Sequence, residues 1–511
     1  MPNYFTTVGL EVHAELRTQT KMFCSCKNDP DEKRPNVNIC PVCMAHPGTL
    51  PVINKEAVKH VLKIGIAVSG ELADFTEFDR KNYFYPDIPK GYQISQYKFP
   101  LIQKGSLKGV AITRVHLEED TARSQHTSTP LSTGTSTMLS TGEKEKYTLI
   151  DFNRAGVPLM ELVTEPVIHT AEEAGAFARE LQLLLRTLGA ADANMEKGEM
   201  RVEANISVSS DEKKFDLNAT GVGRTDLQSK SVLGTKVEVK NLNSFRSVES
   251  AIRYETKRQS EMLKRGEKVV QETRGWDENK GQTFSQRLKE ESHDYRYFPD
   301  PDLPKLFLSK IPEFVPEVLK GELPELPWQR RDRYLALGMK PQEAELFVAD
   351  LPLAAFFENV IAHGNNSPEF TRTTVNYLIS DTLGLLAKEG KSVGNLACSP
   401  EAFGELIEMV LTRAVSSRGA KDILAVMIRE GGAPADISEK AGLGQKTDET
   451  ELRQVVKKVM EQNKSVVNDY QNGKEAALKF LVGAGMKESR GSADPNMLEK
   501  LFRELSMKHG V

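Results

Sequence analysis

Val8-Gly9-Leu10-Glu11-Val12-His13-Ala14-Glu15-Leu16 alternates strictly, with Leu10, Val12, Ala14 and Leu16 on one face and Glu11, His13 and Glu15 on the other. A period of two is the signature of a β-strand with one buried face. With the apolar face against a core, two carboxylates and an imidazole stand in a row on the open face. Such a row suits a hard metal ion or proton transfer. A solvated sheet face produces the same alternation, so the reading depends on whether later strands repeat it.

They do. Strand texture runs from Val8 to about Tyr297, with alternating runs at Val110–Glu119, Tyr147–Phe152, Met200–Val208 and Thr235–Val239. One run ends in His116-Leu117-Glu118-Glu119-Asp120; another stretch carries Glu161 and Glu165; a third sets Glu203 and Asn205 opposite Val202, Ala204 and Ile206. Carboxylates that face one another inside a fold do not all stay charged without a cation between them. Mg²⁺ takes oxygen ligands and leaves positions for nucleotide phosphates. Alternation alone leaves open which carboxylates converge.

Two helices are expected within this region. Ala171–Leu188 opens on a capping box, Thr170 with Glu173, and Ser247–Arg265 follows the loop Asn241-Leu242-Asn243-Ser244-Phe245. Ser124–Lys146, in which 11 of 23 residues are Ser or Thr, reads as a long flexible hairpin tip. Seven prolines between Pro299 and Pro327 suit neither a helix interior nor a central strand and mark a linker. Beyond it the period turns helical, and Ser367-Pro368-Glu369 and Ser399-Pro400-Glu401 are N-cap and N1-proline starts. Leu452–Val511 carries eleven Lys or Arg against seven Asp or Glu, a bias that suits phosphate contacts and equally a solvated surface.

Cys24-Ser25-Cys26 and Cys40-Pro41-Val42-Cys43 bracket a polar loop of 13 residues and hold four of the five cysteines. Four thiolates so spaced form a closed tetrahedral zinc set, structural because no ligand position stays open. Cys398 stands alone and reads as a small buried hydrophobe. Phe78–Asp87 and Gly91–Tyr97 mix cations with four tyrosines, a density that suits an amino-acid or nucleotide pocket or a packed surface rim. Neither a phosphate-binding G-x-x-x-x-G-K-[ST] loop nor a dinucleotide-binding G-x-G-x-x-G is present.

At 511 residues the chain is expected to form roughly three domains. Its net charge of −4 excludes a global basic field, so nucleic acid would have to be met locally. The opening MPNYFTTVGLEVHAEL has no basic, then apolar, leader pattern, and no run of about 18 apolar residues occurs, so a cytoplasmic protein without a membrane span is expected.

Taken together, Val8–Leu16, Phe78–Tyr97, Thr113–Asp120, Asp151–Pro158, Glu238–Phe245, Gln271–Arg274 and Asp294–Pro299 resemble the B-subunit family of glutamyl/aspartyl-tRNA amidotransferases (GatB), over nearly the whole chain. The resemblance implies an α+β multidomain fold: a β-rich cradle catalytic domain at 1–298 with a zinc-binding loop, a Pro-rich linker at 299–327, an all-α helical domain at 328–405, and a small all-α tRNA-binding tail domain at 406–511. It also implies a ligase activity. ATP and Mg²⁺ would phosphorylate the side chain of glutamate on mischarged tRNA-Gln or aspartate on tRNA-Asn, and channelled ammonia would displace the phosphate. The partners implied are an amidase (the A subunit of such a complex), a small third chain (its C subunit) and the mischarged tRNA, with no DNA. Carried over, the metal and kinase residues would be Glu11, His13, Glu119, Glu161 and Glu203; which of the neighbours Glu118 and Glu119 turns toward the metal stays open. Lys81, Tyr83 and Tyr85 are expected to contact the aminoacyl end or the phosphate. Cys24, Cys26, Cys40 and Cys43 match those relatives that keep a structural Zn²⁺ site. Two rival readings are a non-enzymatic tRNA-binding assembly subunit of the same complex and a zinc-containing ligase acting on a free amino acid.

Overall fold

The computed structural model describes residues 4–127, 147–210, 233–288, 295–364, 367–444, 449–489 and 493–508. They form two compact units, Met1–Pro327 and Trp328–Val511.

The first unit is built from β1 (Phe5–Glu15), α1 (Lys55–Ala67), β2 (Asp79–Asn82), β3 (Tyr92–Ser95), β4 (Val110–Glu119), β5 (Pro158–Thr164), α2 (Ala171–Thr187), β6 (Met200–Ser209), β7 (Val237–Leu242), α3 (Phe245–Lys264), β8 (Glu272–Asp277) and β9 (Gln282–Leu288), with several two-residue strands. A ten-stranded mixed sheet runs in the order β9-β8-β7-β6-β1-β5-β4, then Ile102–Gln103 and Glu71–Leu72, with Ser106–Leu107 pairing on β4 off this path. All its pairings are antiparallel except β7 with β8. The strand that opens the sequence is central, pairing with β6 on one side and β5 on the other. Val8, Leu10, Val12 and Ala14 are fully buried, each contributing on the order of 1–3 kcal/mol by leaving water. Helix α2 packs on β1, α3 on β6, and α1 on β4.

Helix α2 begins as expected, with Thr170 accepting from the Glu173 amide and Glu173 reaching back. Helix α3 starts two residues before the expected Ser247, because the Ser244 side chain accepts the Ser247 amide and caps it. Helix α1 is a third helix in this region; Asn54 caps it, and Ala57, Val58, Val61, Leu62 and Gly65 form its buried stripe. Ser124–Thr127 belong to a short strand, Arg123–Thr127, paired with Tyr147–Asp151; the rest of the expected hairpin tip, 128–146, lies outside the described residues.

The segment at 299–327 is not a free linker. Pro299 sits in an edge strand, Pro312, Pro316 and Pro327 open helical turns, and the helix Pro316–Gly321 packs against α1. Phe314 and Leu319 are buried there, and Lys55 pairs with Glu313 at 2.6 Å and Lys63 with Glu322 at 2.8 Å.

Among the described residues, every element of the second unit from Trp328 onward is helical. Ser367 and Ser399 cap their helices as expected, accepting from the Phe370 and Ala402 amides. The boundary expected between 405 and 406 falls inside the helix Pro400–Leu411, whose Phe403, Leu406 and Ile407 are buried and which packs against Leu351–His363 and Pro368–Asn376. A separate core forms later, from Leu452, Val456, Val459, Leu478, Leu481, Leu498, Leu501 and Phe502 among its members. Within it, a Cβ on Gly485 would lie 3.1 Å from Leu498 and 3.2 Å from Phe502, so this glycine serves close helix packing. Cys398 is buried, in keeping with its reading as a small hydrophobe. Among the described residues no single helix is long and apolar enough to cross a membrane; only Pro341–Ala349 with Leu351–His363, bent by 111°, pass by composition together.

Candidate active site and metal centre

Register turns the alternation of four strands into one polar face. Across β1 and β5, His13 stands opposite Glu161; across β5 and β4, Glu161 stands opposite His116; across β1 and β6, Glu11 stands opposite Glu203. Facing residues of antiparallel strands share a face, so Glu11, His13, Glu161, His116, Glu118 and Glu203 all project from the same side of the sheet.

They divide into two sets. In the first, His13, Glu118 and Glu161 offer ligand atoms within 4.8 Å of one another. His13 Nε2 lies 3.4 Å from Glu161 Oε2 and 3.9 Å from Glu118 Oε1. Arg114 Nη2 is 3.4 Å from the other Glu161 oxygen, and His116 Nε2 is 3.4 Å from Glu161 Oε2. Glu118 is 3% exposed, and its Oε2 is buried with no hydrogen-bond partner. A buried carboxylate oxygen in that state costs several kcal/mol unless a cation meets it. One imidazole and two carboxylates, one of which has an orphaned oxygen, therefore fit a divalent ion. In the second set, Glu11, Glu203 and Glu238 also come within 4.8 Å, but there the oxygens have protein partners. Asn205 Nδ2 donates to Glu11 at 2.8 Å, Thr273 Oγ1 to Glu238 at 2.7 Å, and Lys240 Nζ to Glu203 at 2.6 Å.

Burial sets the protonation pattern. It raises the Glu118 carboxyl, against the pull of Lys81. Burial pulls His116 down to about 4, so near neutrality its ring is uncharged. Against burial, His116, His13 and Lys81 hold Glu161 well below the usual carboxylate range. Burial also pulls at His13, but the hydrogen bond and charge of Glu161, with the charges of Glu118 and Glu203, outweigh it and raise its pKa.

Glu119 is turned elsewhere. At the strand end its carboxylate meets Lys90 Nζ at 2.6 Å and accepts the Ile94 amide at 2.9 Å. It lines a cavity of about 280 Å³ with Cys43, Gly156 and Tyr92, not the His13–Glu161 face. Of the two neighbours, Glu118 is the one that shares the His13–Glu161 face, because strand alternation aligns it with His116. Glu15 is also separate: burial and the Asp120 charge push it up to about 8, while Asp120 itself takes Arg201 at 2.9 Å. Glu165 accepts from Thr113 Oγ1 at the exposed edge.

The three expected contact residues part company. Lys81 is kept protonated, with Glu118 foremost against the pull of burial, and its Nζ stands 5.2 Å from the Tyr295 ring centre. Tyr83 packs edge-on against Tyr295, and burial raises its hydroxyl. Tyr85 is 65% exposed. Tyr297 joins them, stacked on Tyr97 at 4.3 Å with its hydroxyl pushed up to about 12 by burial. Glu238, Lys240 and Tyr297 lie in stretches that carry the family resemblance, yet alternation in the first strand could not point to them.

Cys24, Cys26, Cys40 and Cys43 offer sulfurs within 4.8 Å of one another. Tetrahedral zinc with bonds of about 2.3 Å sets sulfurs about 3.8 Å apart, and Cys43 Sγ lies 3.9 Å from Cys40 Sγ. A hydrogen bond from Cys24 draws the Cys43 thiol down to about 5. The cluster could hold a structural metal. Behind it Lys21, 1% exposed, donates to the Asn38 carbonyl at 2.7 Å and the Phe152 carbonyl at 3.2 Å, with its Nζ 4.0 Å from Cys43 Sγ. Lys21→Met is expected to weaken metal retention by about 10–100-fold, the usual cost of an outer-shell partner, read by chelator competition. Retention equal to the parent protein would show that the ammonium does not support the cluster.

The chain thus carries a histidine–carboxylate cluster and a cysteine loop in a unit with a large mixed sheet, and a helical unit follows it. Residues 6–312 match the family described as GatB/GatE catalytic domain, and residues 355–505 match the GatB domain. The chain belongs to this family. A curated relative from Thermus thermophilus, named as the B subunit of aspartyl/glutamyl-tRNA(Asn/Gln) amidotransferase, is 42% identical over 98% of this chain and 99% of its own. Relatives of the same name from Persephonella marina and Crocosphaera subtropica are 40% and 38% identical, each over 98% of this chain and over 98% and 97% of their own.

Proposed function

We propose that this chain is the B subunit of a tRNA-dependent amidotransferase, working in the cytoplasm with an amidase chain and a small third chain, the A and C subunits of such a complex. In this reading the polar face is where the γ-phosphoryl of ATP passes to the side-chain carboxylate of glutamate on tRNA-Gln, or of aspartate on tRNA-Asn. The products are ADP and an acyl phosphate; ammonia then adds to the acyl carbon and expels phosphate, leaving the amide. The observation that carries the reading is the convergence of His13, Glu118 and Glu161, with one buried oxygen of Glu118 left without a partner. Those three residues would hold Mg²⁺, which when bound neutralises charge on the transferred phosphoryl group.

The chain's own residues supply the rest. Glu161, ionised beside His13, and Glu118 hold the cation position in a dry setting. Lys81 brings a fixed ammonium against the same carboxylates and, with Tyr83, is placed to bind the aminoacyl carboxylate or the phosphate. Tyr85, at the exposed rim, would meet only a ligand as large as tRNA. Burial of the site protects an acyl phosphate from water. The cysteine loop would carry structural Zn²⁺, and the helical second unit would bind the tRNA body.

The test is ATP turnover by the assembled subunits with and without mischarged Glu-tRNA-Gln or Asp-tRNA-Asn. ATP cleavage and amide formation that require both the charged tRNA and Mg²⁺ are expected. Tight tRNA binding without ATP cleavage would make the chain a docking subunit instead.

A further inference from the structure

The second carboxylate set is matched by a cation of the protein's own. Glu11, Glu203 and Glu238 converge as closely as the ligands of the first set, yet Lys240 Nζ lies 2.6 Å from Glu203 Oε2 and 3.5 Å from Glu238 Oε1. A backbone irregularity aims it there. Val239 pairs with Ala204 and Leu242 with Val202, so Lys240 and Asn241 together oppose the single residue Glu203. Asn241 takes a left-handed φ of 65°, a conformation asparagine tolerates better than most residues. Two residues facing one is a β-bulge, which re-aims a side chain at the cost of a regular ladder. The contrast with the first set is direct: there a buried carboxylate oxygen has no partner, whereas here Lys240, Asn205 and Thr273 each donate to one of the three carboxylates.

We propose that Lys240 is the resident second cation of this face: it fills the Glu11–Glu203–Glu238 set in place of a second divalent ion and presents an ammonium to the phosphate chain of a nucleoside triphosphate. The proposal rests on the reading of His13, Glu118 and Glu161 as a metal site, and it limits that site to one ion. Glu11 and His13 are two residues apart on one strand, so the two sets stand roughly 7 Å from each other along it. An ammonium has three donors, and the Lys240 side chain is 37% exposed, so it retains donor capacity beyond its two carboxylates. Many phosphoryl-transfer sites use paired divalent ions about 4 Å apart; here a lysine takes the second place.

Mn²⁺ binding to the assembled subunits, with the cysteine loop first loaded with zinc, tests this by counting ions. The parent protein is expected to bind one Mn²⁺, Lys240→Met two, and Lys240→Arg one. With Lys240→Met the KM for ATP should rise at least about tenfold, and Lys240→Arg should recover most of it. Two ions in the parent protein, or one ion at unchanged affinity in Lys240→Met, would overturn the role of Lys240, and the parent count decides even where the variant fails to fold. No ion in the parent but one in Lys240→Met would overturn the first-set metal reading while upholding Lys240. No ion in either would overturn both.

Discussion

Glu118→Gln in the assembled enzyme is expected to lower tRNA-dependent ATP cleavage at least about a thousandfold, a loss of roughly 4 kcal/mol in transition-state stabilisation. Glu119→Gln should leave Mn²⁺ affinity within about threefold of the parent. The neighbours are chemically identical and differ only in face. Glu118 shares a face with His116 and lies 3.9 Å from His13, while Glu119 is tied to Lys90. Both carboxylates are buried, so hydrophobic content cannot distinguish them. Glu118→Gln should not unfold the protein, because it keeps the side-chain volume and relieves the burial of a carboxylate oxygen that has no hydrogen-bond partner, so its melting temperature should fall by less than that of Glu119→Gln even though Lys81 loses an opposing charge. Glu119→Gln should melt earlier, since it strands the Lys90 ammonium. Mn²⁺ titration and thermal melts on the two variants decide the matter. If Glu119→Gln abolishes Mn²⁺ binding and Glu118→Gln spares it, the assignment of the metal face is wrong.

Removing residues 449–511 is expected to raise the KM for charged tRNA at least about tenfold, or about 1.4 kcal/mol of binding, with kcat within about twofold. The missing helices hold their own core, built within Leu452–Leu505, so the remaining elements keep their packing. A cut after 405 should behave differently. It strips Leu406 and Ile407, both fully buried, from the helix Pro400–Leu411. That loss of roughly 3–6 kcal/mol of apolar burial should make the remaining second-unit helices sensitive to proteolysis, while the first unit resists. An unchanged KM for tRNA after removal of 449–511 would assign tRNA binding to other residues. Intact, protease-resistant second-unit helices after the cut at 405 would contradict the packing argument.

Much of this was legible without a structure. The alternation of Val8–Leu16 named the strand and its buried face, because a pleated backbone sends neighbouring side chains to opposite sides whatever lies beside them. Thr170–Glu173, Ser367 and Ser399 marked helix starts, because capping is a local exchange between a side chain and amides two or three residues away. Cys24, Cys26, Cys40 and Cys43 were readable as one set because both pairs lie within a single short stretch. Asn54 and the stripe behind it carried the same kind of signal for α1.

What tertiary structure decided was which groups meet. Asn205 reaches Glu11 across 194 positions of sequence, and Lys240 reaches Glu203 across a bulge that no period announces. Alternation assigns a side chain to a face; only strand order and register say what stands beside it on that face. The 299–327 segment shows the same limit, since prolines exclude a regular element but do not say whether the chain floats or packs on α1. The sequence by itself determined the elements and the chemistry they carry, because those depend on near neighbours along the chain. The division of the carboxylates into one set with an unpartnered oxygen and one set holding a lysine came from the fold, because charge balance depends on neighbours through space.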